Sequence, residues 1–470
     1  MAEPIVKATS AVRQVPPADV PTVRSRRAAD PARARTVPAV GTEIVRVVTA
    51  EGQAAFYADD QASILAGAGR DGSRYLGRPM TPGHRAVRQP AEALSLLLVL
   101  SDGQVAHGDC VGVQYSGVAG RQPPFRAEGA RTVIEDVVAP ALVGRDVGSF
   151  RATVGLLAEV VDHAAVAYGV SQALLDAAAA TTERTAAEVI VDEYDTGVAL
   201  GPVPLLAQSG PDRYDAVDAM VLKGVDALPH GLINNAPELV GQNGRLLVDY
   251  VRWVSGRVRA LRPDPGYHPV LHVDTYGTPG SVFGTVARTA GYLARLAEAA
   301  APFPLRVEQP IDAGDRDGQI ATLAALRLEL RRIGAPVEIV ADEWCNTLAD
   351  VRDFAAAGAA DMIHVKAPDL GGLDQTVLAL RHCAALGVQG YCGGSCTETV
   401  RSAQLCVHVA MACGADQLLV KPGMGADAGL SVVRTEMAKV LALAGRRRPG
   451  DTDDRRGTRG TRGDERCDSG

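Results

Sequence analysis

From about residue 201 onward the chain repeats one architectural phrase without repeating its letters: a short apolar strand, a helical stretch, a glycine, and the next strand. The strands read "VPLLAQ", "PVLHVD", "PLRVEQ", "VEIVAD", "MIHVK", "VQGYC" and "QLLVK", and several of the helical stretches between them end in glycine, at Gly334, Gly358, Gly387 and Gly414. Glycine just past a helix takes the left-handed backbone conformation that closes it, so strand, helix, glycine, strand is spelled out in order. Seven or eight such units between about 201 and 446 predict a (β/α)8 barrel. An open doubly wound sheet is the competing architecture, but no glycine-rich dinucleotide turn follows an early strand.

Upstream, "ALSLLLVLSDGQVAHGDC" (93–110) reads as strand, Ser-Asp-Gly turn and return strand. Ala- and Leu-rich helical segments follow through "VGLLAEVVDHAAVAYGVSQALLDAAAATT", so 44–200 is expected to form an α+β domain. Residues 1–43 are rich in Ala, Pro and Arg with no apolar period and are expected to be a disordered leader; the prolines argue against a transit-peptide helix. Residues 447–470 are polar and low in complexity, and are expected to be a disordered tail.

A net charge of −7 and a pI near 5.8 give no sign of a nucleic-acid or membrane-surface partner, which leaves a small-molecule enzyme as the better fit. No apolar run approaches the roughly 18 to 20 residues of a spanning helix, and no secretory signal pattern opens the chain, so a cytoplasmic location is expected. The eight cysteines are scattered and point to reduced thiols. "CGGSC" lacks the C-x-x-C spacing of a redox pair.

The chemistry is suggested by what ends consecutive strands. "LHVD" ends in Asp274, "LRVE" in Glu308, "EIVAD" in Asp342 and "IHVK" in Lys366, separated by 34, 34 and 24 residues, each about one strand-plus-helix unit. In a barrel, equivalent positions of successive strands converge on the mouth. Singly, a strand-end acid is as well explained by solvation or helix capping. Three converging carboxylates would repel one another and raise their own pKa values, and a divalent cation resolves the conflict. All-oxygen ligands favour a hard ion such as magnesium or manganese.

A lysine beside such a cation has its charged form disfavoured by burial and by like charge, so Lys366 is expected to be able to accept a proton from carbon next to a carboxylate. The competing reading of Lys366 is a salt bridge to one of the acids.

"FYADDQASILAGAGRDG", "DGQVAHGDC", "VQYSG", "LLAQSGPDRYD", "LPHGLINN", "HVDTYGT", "VADEWCNT", "PDLGG", "YCGGSC" and "VKPGMGAD" together resemble methylaspartate ammonia-lyase, a branch of the enolase superfamily, nearly unbroken from about 44 to 446. The resemblance implies an N-terminal α+β capping domain on a modified (β/α)8 barrel and reversible, magnesium-dependent elimination of ammonia from 3-methylaspartate to give mesaconate. It implies that Asp274, Glu308 and Asp342 are metal ligands and that Lys366 removes the proton. His230 of "LPHGLINN" would act on the opposite face, for the other epimer; without the resemblance it reads as a surface or packing residue. Gln208, Gln114 and Cys396 match substrate-contacting positions, although the thiol could equally be packing. Activation by a monovalent cation such as potassium, and a homodimer, are expected from the family alone.

Two positions depart from the family pattern. His364 stands where the family usually has glutamine, two residues before Lys366 and so on the same face of its strand. An imidazole reaches less far than an amide and can be charged beside the lysine, which bears on the substrate's substituent. Ser395 replaces threonine before the pocket cysteine and keeps the hydroxyl. The rival functions are a related enolase-superfamily epimerase or lyase acting on another 3-substituted aspartate, and a barrel that binds a dicarboxylate without turning it over.

Overall fold

The computed structural model describes residues 41–157 and 160–444. The expected tail, and the expected leader up to residue 40, lie outside them; residues 41–43 do not behave as leader, since Glu43 bridges Asp146 and the Thr42 carbonyl accepts from the Val147 amide at 2.9 Å.

Alternating leucines build the N-terminal sheet. In β2 (Arg88–Leu100) Leu94, Leu96, Leu98 and Leu100 are all buried, and period-two burial gives the strand one core face. β1 (Ile44–Asp59) and β3 (Val105–Val111) flank β2 antiparallel, and Val99 pairs with Val105 across the tight turn that the hairpin signal predicts. β1 is the longest strand and was not among the expected ones.

The helix Ala164–Thr181 lies across this sheet and is buried nearly all round. A helix apolar on every side belongs between two layers. Here one side packs on β3, while on the other Tyr168 donates to Glu398 (2.6 Å) and Ser171 Oγ accepts from the Leu373 amide (3.0 Å).

The C-terminal half closes into a barrel of eight parallel strands in sequence order: β4 (Leu205–Leu206), β5 (Ala227–His230), β6 (Val270–Asp274), β7 (Leu305–Glu308), β8 (Val337–Ala341), β9 (Met362–Val365), β10 (Gln389–Cys392) and β11 (Gln417–Leu419). Leu206, Ala227, Val340, Met362, Tyr391 and Leu419 pack together inside it. The barrel expectation holds, and seven of its strands are those read from the sequence. The eighth, β5, is broken as a pattern by Pro229, which cannot donate to the ladder. Gly334, Gly358, Gly387 and Gly414 all take positive φ past their helices, as the spacing predicts. No helix among the described residues is long and apolar enough to cross a membrane.

Candidate active site

Register delivers the acids. Asp274 and Glu308 are paired neighbours at the ends of β6 and β7, Asp342 follows β8 directly and Lys366 follows β9. All three carboxylates are at most 2% exposed. Where the chain leaves these strands it is strained: His230, Leu232, Tyr276, Gln309 and Trp344 hold positive φ without being glycine. Such residues persist only where the surroundings over-determine them, and they cluster at functional sites.

Donor atoms of His230, Asp274 and Glu308 lie within 4.8 Å of one another, as do those of Glu308, Asp342 and His364. Glu308 is common to both groups, so the expected ligand set is gathered around it. Burial, then the carboxylates of Glu343 and Asp342, push Asp274 well above the usual range. Burial with Asp274 and Asp342 does the same to Glu308. Uncompensated buried acids with mostly oxygen donors fit a hard divalent cation.

Asp342 behaves differently. Burial would raise it, but Lys366, with Arg121 beside it, holds it well below the carboxylate range. Lys366 Nζ lies 2.6 Å from Asp342 Oδ1, and Arg121 Nη2 lies 3.2 Å from the same oxygen. Lys366 is therefore both an ion-pair partner and a strand-end base candidate. Burial and Arg121 push its ammonium down, and Asp342, Glu343 and Asp369 more than offset them, so the group is held charged rather than poised neutral. Of the acids that hold it charged, Asp342 is also one of the expected cation ligands.

His230 is the neutral counterpart. Burial and the Lys366 ammonium bring it down to about 4, and its Nε2 sits 3.3 Å from Asp274 Oδ2. His364 is also neutral, since burial outweighs Asp342 and pushes it well below its ordinary value. The sequence-based concern that it carries charge beside Lys366 is thus corrected.

A cavity of about 30 Å³ joins these groups, lined by His230, Lys366, Gln208, Gln114, Ser395 and Cys396 among others. The cap reaches into it through the segment after β3. The Gln114 side chain donates to Asp59 at 2.8 Å and accepts from the Cys396 thiol at 3.2 Å, and its backbone N–H donates to Ser395 Oγ at 2.9 Å. Burial and Asp59 push the Cys396 thiol up, so it is a neutral donor and not a thiolate. Gln208 is buried, with its amide 3.5 Å from the Val420 carbonyl.

Three site residues escaped the sequence reading. Arg121, from the cap, spans Asp342, Glu343 and Asp369; nothing local marks it. Glu343 is buried, faces Arg121 at 3.8 Å with neither oxygen hydrogen-bonded among the described residues, and burial and Asp342 push it up to about 7. His272 Nε2 lies 2.8 Å from Glu308 Oε2, and its place two residues before Asp274 on one strand face could have flagged it.

The architecture is that of a capped (β/α)8 barrel enzyme, with three acids and a lysine at or just past the ends of successive strands. Muconate lactonizing enzyme from Pseudomonas putida shares this fold at 18% identity (TM-score 0.53, 78% of this chain and 84% of that one). At the level of family, sequence profiles for the N-terminus and the C-terminus of methylaspartate ammonia-lyase match residues 42–195 and 197–446. The chain belongs to the methylaspartate ammonia-lyase family. It is 48% identical to the methylaspartate ammonia-lyase of Clostridium tetanomorphum over 416 residues, 86% of this chain and 100% of the relative. Crystal structures superpose equally well. β-Methylaspartase from Clostridium tetanomorphum, a magnesium complex, gives a TM-score of 0.81 at 48% identity, covering 86% of this chain and 100% of that one. The Citrobacter amalonaticus enzyme containing (2S,3S)-3-methylaspartic acid gives 0.83 at 47% identity, covering 86% and 99%.

Proposed function

We propose that this protein eliminates ammonia reversibly from 3-methylaspartate to give mesaconate, with magnesium bound by Asp274, Glu308 and Asp342. The observation that carries the reading is the placement of Lys366 directly after the strand that follows Asp342, paired to Asp342 and in one cavity with His230 and Asp274, in a chain of this family.

Bound magnesium supplies electrostatic stabilisation to the substrate carboxylate as negative charge builds on it. In its free-amine form Lys366 takes the proton from C3, the methyl-bearing carbon beside that carboxylate. The C3–H electron pair becomes the second bond between C2 and C3, the C2–N bond breaks, and nitrogen leaves with its electron pair as ammonia. His230, already neutral, takes the corresponding proton of the other C3 epimer. The Gln208 and Gln114 amides can both donate and accept, which suits a substrate with two carboxylates and an ammonium. Ser395 and Cys396 line the same cavity, and the cap residues Gln114 and Arg121 close it against water.

The same reading takes manganese as a substitute for magnesium, because the ligands are carboxylate oxygens. It takes 44–200 as the cap and 201–446 as the barrel. Potassium activation and a homodimer rest on the family resemblance alone.

Ultraviolet absorbance of mesaconate, followed with methylaspartate, aspartate and a 3-ethyl analogue, tests the reading. Methylaspartate gives product with magnesium or manganese present and none after chelation. No mesaconate from methylaspartate under any metal condition overturns it.

A further inference from the structure

Each oxygen of Glu308 faces a different imidazole. His364 Nδ1 lies 2.6 Å from Oε1 and His272 Nε2 lies 2.8 Å from Oε2, with all three side chains buried. A neutral imidazole carries one proton, so whether each ring offers Glu308 an N–H or a lone pair is decided by what meets its other nitrogen.

On His364 that nitrogen is met by the Gly394 backbone N–H at 3.1 Å. A backbone amide only donates, so Nε2 holds the lone pair and Nδ1 the proton. On His272, Nδ1 lies 3.2 Å from the Gln417 amide nitrogen. The orientation of that amide is set at its other end, where Oε1 accepts from Arg306 at 3.0 Å. The His272 proton is therefore on Nε2, facing Glu308.

We infer that His364 and His272 are positioning residues for the metal ligand Glu308: each is locked in the tautomer that donates one N–H to one carboxylate oxygen. Both oxygens keep a lone pair for the cation while the carboxylate plane is fixed, and outer partners of this kind orient metal ligands. Further features hold His364 in place. Its ring stacks on Tyr391 with centroids 4.1 Å apart, and a Cβ at Gly393 would fall on the imidazole itself. The glutamine usual in the family can turn either its N–H or its carbonyl toward Glu308; the histidine has no such freedom.

This rests on the reading of Glu308 as a magnesium ligand, and the two are tested separately by calorimetric titration of the full chain with magnesium, without substrate. Glu308→Ala abolishes binding; unchanged affinity there overturns the ligand reading. His364→Ala weakens binding by about 10- to 100-fold, and His364→Gln recovers part of the loss because its amide can still donate. Unchanged affinity in His364→Ala, or no recovery in His364→Gln, overturns the inference. Long-range 1H–15N spectra of the histidine-labelled wild type read the tautomer directly. The ring signal lost in His364→Gln is that of an Nδ1-protonated imidazole; an Nε2-protonated or doubly protonated ring overturns the inference.

Discussion

His230 joins a left-handed backbone, φ +63°, to a buried neutral ring, and both follow from its place at the end of β5 in the barrel mouth. A base kept neutral at working pH needs no activation. His230→Ala is expected to slow turnover of the epimer it serves by about 10²- to 10⁴-fold and to leave the Lys366-served epimer within a few-fold, read from mesaconate formation on the separated epimers. Asp60 gives a pH prediction away from the site. Burial alone would raise its pKa, but hydrogen bonds from Ser63, Thr81 and the Met80 amide bring it down to about 2. A folded pKa below the unfolded value near 3.9 contributes stability that is complete above about pH 4 and is lost as pH falls toward 2. Asp60→Asn is expected to be less stable at neutral pH, with a shallower decline between pH 4 and 2 in urea denaturation. At this scale the acids and Lys366 were legible because they repeat one position on successive strands. Arg121 was not, because its partners Asp342 and Asp369 are 221 and 248 residues away and no local pattern encodes that distance.

Among elements, the cap depends on two glycines that let a helix lie directly on a strand. A Cβ on Gly169 would come within 2.6 Å of the Cys110 amide nitrogen, and one on Gly108 would run into the Gly169 carbonyl. Backbone cannot yield as a flexible side chain does, so Gly169→Ala is expected to cost about 3 kcal/mol, seen as a lower guanidinium midpoint with the slope unchanged. The barrel elements could be read because helix-closing glycines punctuate them. β5 could not, since Pro229 removes a ladder donor and its pairing is fixed instead by β6 alongside, in register from Ala227 to His230. β1 was missed for a different reason: its partner β2 lies beyond an intervening 28 residues, 60–87, whose Asp71-Gly72 turn closes a separate short hairpin, Arg70–Asp71 with Arg74–Tyr75, and so does not point from β1 to β2.

At the scale of the molecule, cap and barrel are stitched through the site. Thr397 Oγ1 donates to the Gly112 carbonyl at 2.6 Å, Thr399 Oγ1 to Asp109 at 2.6 Å and Asn346 to the Ala119 carbonyl at 2.7 Å, beside the Arg121 ion pairs. Magnesium bound at the buried acids stabilises the whole of this assembly. At a hundred times its dissociation constant it is expected to add about 2.7 kcal/mol to unfolding in a thermal or urea titration, and chelation is expected to remove that increment. The resemblance covered nearly all of this two-part body, whereas the contacts between its parts are tertiary and leave no periodic trace. The central claim is that Lys366 takes the C3 proton over carboxylates that hold magnesium. Its most direct test is mesaconate formation from (2S,3S)-3-methylaspartate by Lys366→Ala, in protein shown by calorimetry to bind magnesium. The account predicts turnover reduced by about 10²-fold or more with metal binding retained; turnover at the wild-type rate contradicts it.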